Sequence, residues 1–550
     1  MRKFATALVG VGAAIALGAC SDPLNVSNQN SPDVTRAFAT PAGIEQLIST
    51  SFQQENNEWT GLSGSGALVP ITMSWSGETY GTVANYGMNG VASIPRPSAP
   101  NDRGNGNVDL YRDFRDFQKF ARSSANGIAA LDRLTAAAGT LGSAGRDAKS
   151  RAFGFFTLGL ALGSTALTYD SAGVVYPATP SDQVPKLVGY QDVMTAALGD
   201  LDSAIAIANS AAARGDAAGF RIVDWIRGNT LTSDDFIKVV RSYKARFRAG
   251  VARTPADRAA VNWDLVIADA TAGITSDLLV TTSNGAGWTE GWLASAYRYQ
   301  GWGATPPMYT GMADTSGSFD AWLATGLNDR KPFLIKTPDK RWPAGETRAA
   351  QQTASGTLPT AGVPYFRNRP TGEDTDGAPY QNSFYDHYRF RSLVLNNADR
   401  AGTWPTFTVA ENDMLAAEGY IRKGQIAQAA TLIDKTRVKA GLPALSGKVA
   451  TVTDVVPGGT ACVPRVPVAP FTKTACGTIM EALKYEKRLE SSQTGYNQWW
   501  IDSRGWGDLV EGTPLMFPLP YSEADARQTP AYTLGGLGAP ASAAKGTYGY

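Results

Sequence analysis

The stretch from Phe407 to Leu445, FTVAENDMLAAEGYIRKGQIAQAATLIDKTRVKAGLPAL, constrains the fold more than any other part of the chain. Ala410, Met414, Ala417 and Ile421 recur at helical spacing, and Ile426, Ala429, Ala430 and Ile433 repeat the pattern. Apolar residues with this period occupy one face of an α-helix. Gly424 lies between the two stripes, where a helix can end on a left-handed residue that glycine adopts without strain. Gly441-Leu442-Pro443 closes the second stripe, because proline lacks the N–H that would continue the helix. The pattern predicts an αα-hairpin whose alanines let the two helices approach closely.

Other segments carry the same period. Tyr190, Met194, Ala197, Leu198, Leu201, Ile205 and Ala208 share one face, and Trp263, Val266, Ile267, Ala270 and Ile274 share another. Thr40-Pro41 and Thr254-Pro255 read as an N-cap followed by proline in the first turn, with the first helix running to about Gln54. Such pairs resemble tetratricopeptide units, but no clean repeat of about 34 residues is present. Between 275 and 405, Gly, Pro, Thr and aromatics dominate and helical period fades. A structureless loop of that length is implausible in a compact domain, so short strands, turns and small helices are expected. The predicted fold is mainly α: degenerate tetratricopeptide-like helical pairs with a large irregular, loop-rich half. An N-terminal helical region spans 40–274. A C-terminal region spans 275–550, with its irregular part at 275–405 and closing helices after it.

The first twenty residues concern location. Arg2 and Lys3 precede an uncharged apolar run from Phe4 to Leu17, too short for a membrane span of about 20 residues and suited to a signal peptide. Leu17-Gly18-Ala19-Cys20 resembles a bacterial lipobox. Residues 1–19 would then be removed, the Cys20 thiol would receive a diacylglyceryl group, and its freed amine would be acylated. Several acyl chains together anchor firmly where one binds only marginally. Polar, turn-rich residues 20–39 form a tether. The formal net charge is +1, so no strong field argues for nucleic acid. The remaining cysteines, Cys462 and Cys476, lie 14 positions apart. An oxidising compartment permits them to pair, and closing a loop of that size contributes about 3 kcal/mol in the chain-entropy model.

Several chemistries lack their residues. The one histidine, His387, excludes an H-E-x-x-H zinc site and any histidine-rich metal cluster. In YDHYRF it reads as a packed side chain. GLSGSG at 61–66 does not fit the nucleophile elbow, and neither a Walker A motif nor a complete dinucleotide fingerprint is present. NDRGNGNVD (101–109) and GEDTDG (372–377) group oxygen ligands around glycines, but neither matches the calcium loop of an EF-hand. Solvated turns are expected there, with no metal and no cofactor. Carboxylate pairs for glycoside hydrolysis remain open, since their separation in space is not visible in a sequence.

The C-terminal motifs resemble the SusD/RagB family of nutrient-uptake lipoproteins. In 407–445, Glu411, Glu418, Arg437, Gly441, Leu442 and Pro443 stand at the places of a family pattern. YEKRLESSQTGYNQWWIDSRGWGDL (485–509) resembles the family's Glu-Arg-Arg-x-Glu-Leu helix and its Trp-x-Asp-x-Arg continuation, through Glu486, Arg488, Glu490, Gly495, Trp500, Asp502 and Arg504. FPLPYSEAD (517–525) resembles the closing Pro-Ile-Pro-x-x-Glu segment, and 148–163 and 190–205 resemble two earlier family helices. Departures are Ser491-Ser492-Gln493 and the 446–476 insertion with its two cysteines. Glu486, Arg488, Glu490, Asp502 and Arg504 are expected to form a partly buried ionic network, because buried charges persist when paired.

The resemblance implies a SusD-like α–α superhelix without catalysis. It implies a lipid-anchored, cell-surface protein of the outer membrane that captures oligosaccharides, or peptides, for a SusC-like TonB-dependent transporter. A lipid-anchored extracellular glycoside hydrolase is the alternative. A sugar ring offers an apolar C–H face, and rigid aromatics cover such faces at little entropic cost. Two stretches supply aromatics outside helical period: 75–86, with Trp75, Tyr80, Asn85 and Tyr86, and 288–309, with Trp288, Trp292, Tyr297, Tyr299, Trp302 and Tyr309. The ligand-binding candidates are Trp75, Tyr80, Asn85, Tyr86, Trp288, Trp292, Tyr299 and Trp302.

Overall fold

The structure is a computed structural model that describes residues 38, 40–61, 68–80, 88–103, 110–180, 182–289, 304–355, 364–374, 381–391 and 401–549. Cys20 and most of the tether lie outside the described residues. No helix among those described is long and apolar enough to cross a membrane.

The principal helices of the N-terminal half are α1 (Pro41–Ser49), α2 (Ser51–Trp59), α3 (Leu68–Ser76), α4 (Tyr111–Ala136), α5 (Ala144–Thr168), α6 (Tyr190–Ala208), α7 (Ser233–Gly250) and α8 (Trp263–Thr271). The Thr40 hydroxyl caps α1 by accepting from Gly43 N–H at 3.1 Å. The helix expected to end near Gln54 instead breaks at Thr50 and resumes as α2. Helix α5 is central, with almost every residue after Lys149 buried. It packs against α4 on one side and α6 on the other, and also touches α1, α2 and α7. Small residues permit this: a Cβ added at Gly159 would lie 2.9 Å from the Ala197 carbonyl oxygen, and one at Gly163 would lie 2.0 Å from the Phe247 ring.

Packing then proceeds pair by pair from α6 to α7, α7 to α8, and α8 to α11 (Val409–Arg422). Next come α12 (Ile426–Arg437) and α13 (Ile479–Glu490), followed by α14 (Gln498–Trp506), which returns to pack on α3. Units that each contact mainly their neighbours make a solenoid-like α–α superhelix. The turn between α11 and α12 is a Schellman motif: Gly424 has φ 72°, its N–H donates to Ile421 O at 2.9 Å, and Gln425 N–H donates to Tyr420 O at 2.8 Å.

Strands β1 (Leu278–Thr282) and β4 (Gly402–Phe407) pair antiparallel. Because α8 packs directly on α11, the described residues between these strands form a lobe that leaves and returns at one place. Its described elements are short, as the composition predicts: α9 (Pro307–Gly311), α10 (Ser318–Ala324), and the antiparallel pair β2 (Phe366–Asn368) and β3 (Tyr385–His387). His387 in β3 is buried and packs edge-on to Phe366. After α12, the insertion carries the hairpin β5 (Arg465–Val468) and β6 (Lys473–Cys476). Cys462 and Cys476 are joined, with Cα atoms 5.7 Å apart.

Buried charges tie these parts together. Arg258 binds Glu418 through two bonds of 2.9 and 2.6 Å and reaches Asp502 at 3.2 Å, while Lys487 meets Asp502 at 2.7 Å. Arg341, from the lobe, meets Asp339, Glu486 and Glu490 at 2.8, 2.7 and 3.0 Å. The charges expected to form one network are buried but divide among separate partners: Glu486 and Glu490 with Arg341, Asp502 with Arg258 and Lys487, and Arg488 with Asp508 at 2.6 Å. Arg504 pairs with no carboxylate among the described residues. Its guanidinium donates instead to Gly250 O, at the end of α7, and to Leu515 O. A cation there favours the negative end of the helix dipole.

Candidate functional site

A narrow cavity of about 40 Å³ lies where the end of α3, the lobe and the C-terminal tail meet. Trp75 comes from α3, Tyr309 from α9, Trp322 from α10 and Tyr548 from the tail. Arg96, Gln381 and Asp508 add polar groups to a mostly apolar lining.

Local structure explains these placements. Helix α3 ends at Gly77, whose φ of 74° lies in the left-handed region, and Glu78 N–H turns back to Met73 O at 3.0 Å. Tyr309 covers Gly77 so closely that a Cβ there would lie 2.5 Å from its ring. Tyr309 meets Trp499 edge-on at 5.2 Å, with the Arg488 guanidinium 4.8 Å from its ring centre. Burial pushes the Tyr309 hydroxyl above its ordinary range. Trp75 stacks on Phe517 at 5.2 Å, and Trp322 lies under the Arg330 guanidinium at 4.2 Å. Arg96 is held by the carbonyls of Ser74 at 3.1 Å and Ser93 at 3.2 Å, and Gln381 donates to Ala92 O.

Two features define the cavity's chemistry. The indole N–H groups of Trp75 and Trp322 are buried and have no acceptor among the described residues. A buried donor without a partner forgoes roughly 1–3 kcal/mol. Asp508 is no free proton donor. Burial raises its carboxyl, but Lys484 at 3.0 Å and Arg488 at 2.6 Å outweigh that and hold it below the usual range. The arrangement suits binding through C–H faces and hydroxyl or ether oxygens.

Trp75, Tyr80 and Trp288 are 1%, 1% and 7% exposed. None is an open stacking platform, because protein covers the rings: Trp75 by Phe517, and Trp288 by Phe52 at 6.4 Å in the main core. Of these, Trp75 also lines the cavity. Asn85, Tyr86, Trp292, Tyr297, Tyr299 and Trp302 lie outside the described residues. The structure does bring the two aromatic stretches together. Tyr80 N–H donates to Ala304 O at 2.7 Å, Ala304 bridges to Asp386, and Thr305 N–H donates to Tyr385 O at 2.9 Å. Trp322, Arg96, Gln381, Asp508 and Tyr548 were not legible as site residues, since nothing local in their stretches separates them from core or tail.

The described parts of the two oxygen-rich loops serve structure. Glu373 binds Arg367 at 2.5 Å and Asp374 binds Arg348 at 2.6 Å. Asn101 donates to Leu519 O and Tyr532 O and accepts from Tyr521 N–H. Among the described residues, no group of three His, Cys, Asp or Glu side chains could hold a metal ion.

No family model matches the chain, and no curated protein sequence does. Among solved structures it is similar to a SusD superfamily protein from Bacteroides vulgatus, with 12% identity, 86% of this chain and 89% of that one covered, and a TM-score of 0.48. A SusD/RagB family protein from Bacteroides thetaiotaomicron shares 13% identity over 88% of this chain and 94% of its own, with a TM-score of 0.47. A laminarin-binding SusD-like protein shares 12% identity over 90% of this chain and 98% of its own, with a TM-score of 0.48. Each of these three solved structures, described as a SusD superfamily, SusD/RagB family or SusD-like protein, is matched over most of this chain's length.

Proposed function

We propose that this chain is a SusD-like, non-catalytic surface lipoprotein that binds oligosaccharides and delivers them to a SusC-like TonB-dependent transporter, anchored in the outer membrane through lipid on Cys20. The observation that carries the binding reading is the cavity between α3, α9 and α10. Trp75 and Trp322 line it, and their buried indole N–H groups have no acceptor among the described residues. A glycan matches that lining, since its C–H faces pack on rings while its oxygens accept from N–H groups. The motifs at 407–445, 485–509 and 517–525 support the family, and the Leu-Gly-Ala-Cys start supports the anchor.

Trp75, Tyr309 and Trp322 form the inner wall. Asn85, Tyr86, Trp292, Tyr299 and Trp302 are retained as ligand residues because the described ends of their stretches meet beside the cavity. The test is a binding screen of residues 21–550 against polysaccharides that include laminarin, starch and xylan, with the products analysed. Saturable binding with the glycan recovered intact supports the reading. Cleavage would assign the alternative, a glycoside hydrolase. Binding that survives unchanged in Trp322→Ala, with the fold retained, would place the site elsewhere.

A further inference from the structure

The disulfide-closed hairpin β5–β6 contributes no side chain to the cavity, yet it holds the cavity's outer wall at three points. Arg465 N–H donates to Met312 O at 2.8 Å, just past α9, which carries Tyr309. Thr474 donates from both N–H and Oγ to Asp320 Oδ1, at 2.8 and 2.6 Å. Asp320 belongs to α10, which carries Trp322. At the hairpin tip, Phe471 abuts Gly549, where an added Cβ would lie 2.3 Å from its ring, next to Tyr548 of the tail. Val463 and Val466 share an apolar cluster with Tyr309, Met312 and Tyr548.

These contacts have a physical reason to matter. Helices α9 and α10 have five and seven residues, well short of the roughly 12–15 a helix needs to persist unaided. A two-stranded hairpin is itself marginal in water, and here the Cys462–Cys476 bond closes it while Arg465 Nε donates across it to Thr474 Oγ1 at 2.9 Å.

We propose that the 462–476 hairpin is a positioning clamp for the ligand cavity. It sets the placement of Tyr309, Trp322 and Tyr548 through Met312, Asp320 and Gly549, and Asp320 and Thr474 are its positioning residues. Cavity geometry then depends on a disulfide that does not touch the cavity. The functional meaning of the clamp rests on reading the cavity as the ligand site; its existence does not.

Hydrogen exchange measured by mass spectrometry on residues 21–550, without ligand, tests it. In Asp320→Ala, and in the double variant Cys462→Ser/Cys476→Ser, amides of 307–324 and 546–549 should exchange about tenfold faster, while those of α5 keep their wild-type rates, as local opening requires. Asp320→Asn should restore slow exchange, because its carbonyl oxygen still accepts from Thr474. Acrylamide should quench tryptophan fluorescence more strongly in Asp320→Ala, and that increase should vanish in a Trp322→Phe background. Unchanged exchange in 307–324, or an equal rise in α5, would overturn the clamp. A chain that passes this test but binds no glycan would overturn the ligand reading alone.

Discussion

Glu78, one residue from the cavity's Gly77, is held as a neutral acid. Burial pushes its carboxyl up to about 8, against the opposing bond that Gln493 N–H donates to Oε1 at 2.5 Å. An unfolded glutamate titrates near 4.5. Between those values the folded chain binds the extra proton, so stability falls as pH rises from about 4.5 through 8. Glu78→Gln mimics the neutral form. Its melting temperature relative to wild type should therefore rise more at pH 8 than at pH 5, and an equal difference at both would count against a buried neutral acid. Trp75→Ala should remove about 3–5 kcal/mol of stability, measured by denaturant unfolding, as its stacking on Phe517 at 1% exposure requires. The sequence located the aromatic stretches, but it could not say which ring faces stay open. That is decided by residues such as Phe517, far along the chain, which no local pattern links to Trp75.

At the scale of elements, the α11–α12 hairpin was legible down to its Schellman glycine, because its stripes, Gly424 and Gly441-Leu442-Pro443 are all local signals. The lobe was legible only as irregular, since its order comes from pairings such as β1 with β4 that period analysis does not see. The same holds for the ion pairs: Asp502 could be named as buried and Glu418 as a motif residue, but Arg258, their partner, could not. Glu418 is raised by burial and lowered further by Arg258, Arg422 and Lys487, to about 2. Its contribution is therefore present above pH 4.5 and is lost as pH falls from there toward 2. Arg258→Met should destabilise by about 3–5 kcal/mol at neutral pH, since it removes the bidentate partner of buried Glu418 and leaves that carboxylate to Arg422 and Asp502 to Lys487. A loss below about 1 kcal/mol in urea unfolding, the range of exposed pairs, would show the network to be dispensable. Close helix packing gives a paired prediction. Gly163→Ala must displace the Phe247 ring and should cost about 1–3 kcal/mol. Gly199→Ala, on α6 with no atom within 4 Å of the added Cβ, should stabilise by roughly 0.5–1 kcal/mol. Equal effects would contradict the packing of α5 on α7.

At the scale of the whole molecule, the α–α superhelix is the support, and the described parts of the lobe, the hairpin and the C-terminal tail lie over it around the cavity lined by Trp75, Tyr309, Trp322 and Tyr548. The proposed anchor belongs to this scale too. Cys20→Ser should abolish lipid labelling and release the chain from the membrane fraction, and a variant still bound in high salt, in cells without the proposed transporter, would show that Cys20 is not the anchor. The central claim is that the cavity binds a glycan without cutting it. Isothermal titration of residues 21–550 with the glycan retained in the screen, repeated on Trp322→Ala after its fold is verified by circular dichroism, tests this most directly. Expected are saturable binding to the wild type, recovery of intact glycan, and binding at least about tenfold weaker in the variant, the equivalent of about 1.4 kcal/mol. Equal affinity in a folded variant, or shortened glycan after incubation, would contradict the claim.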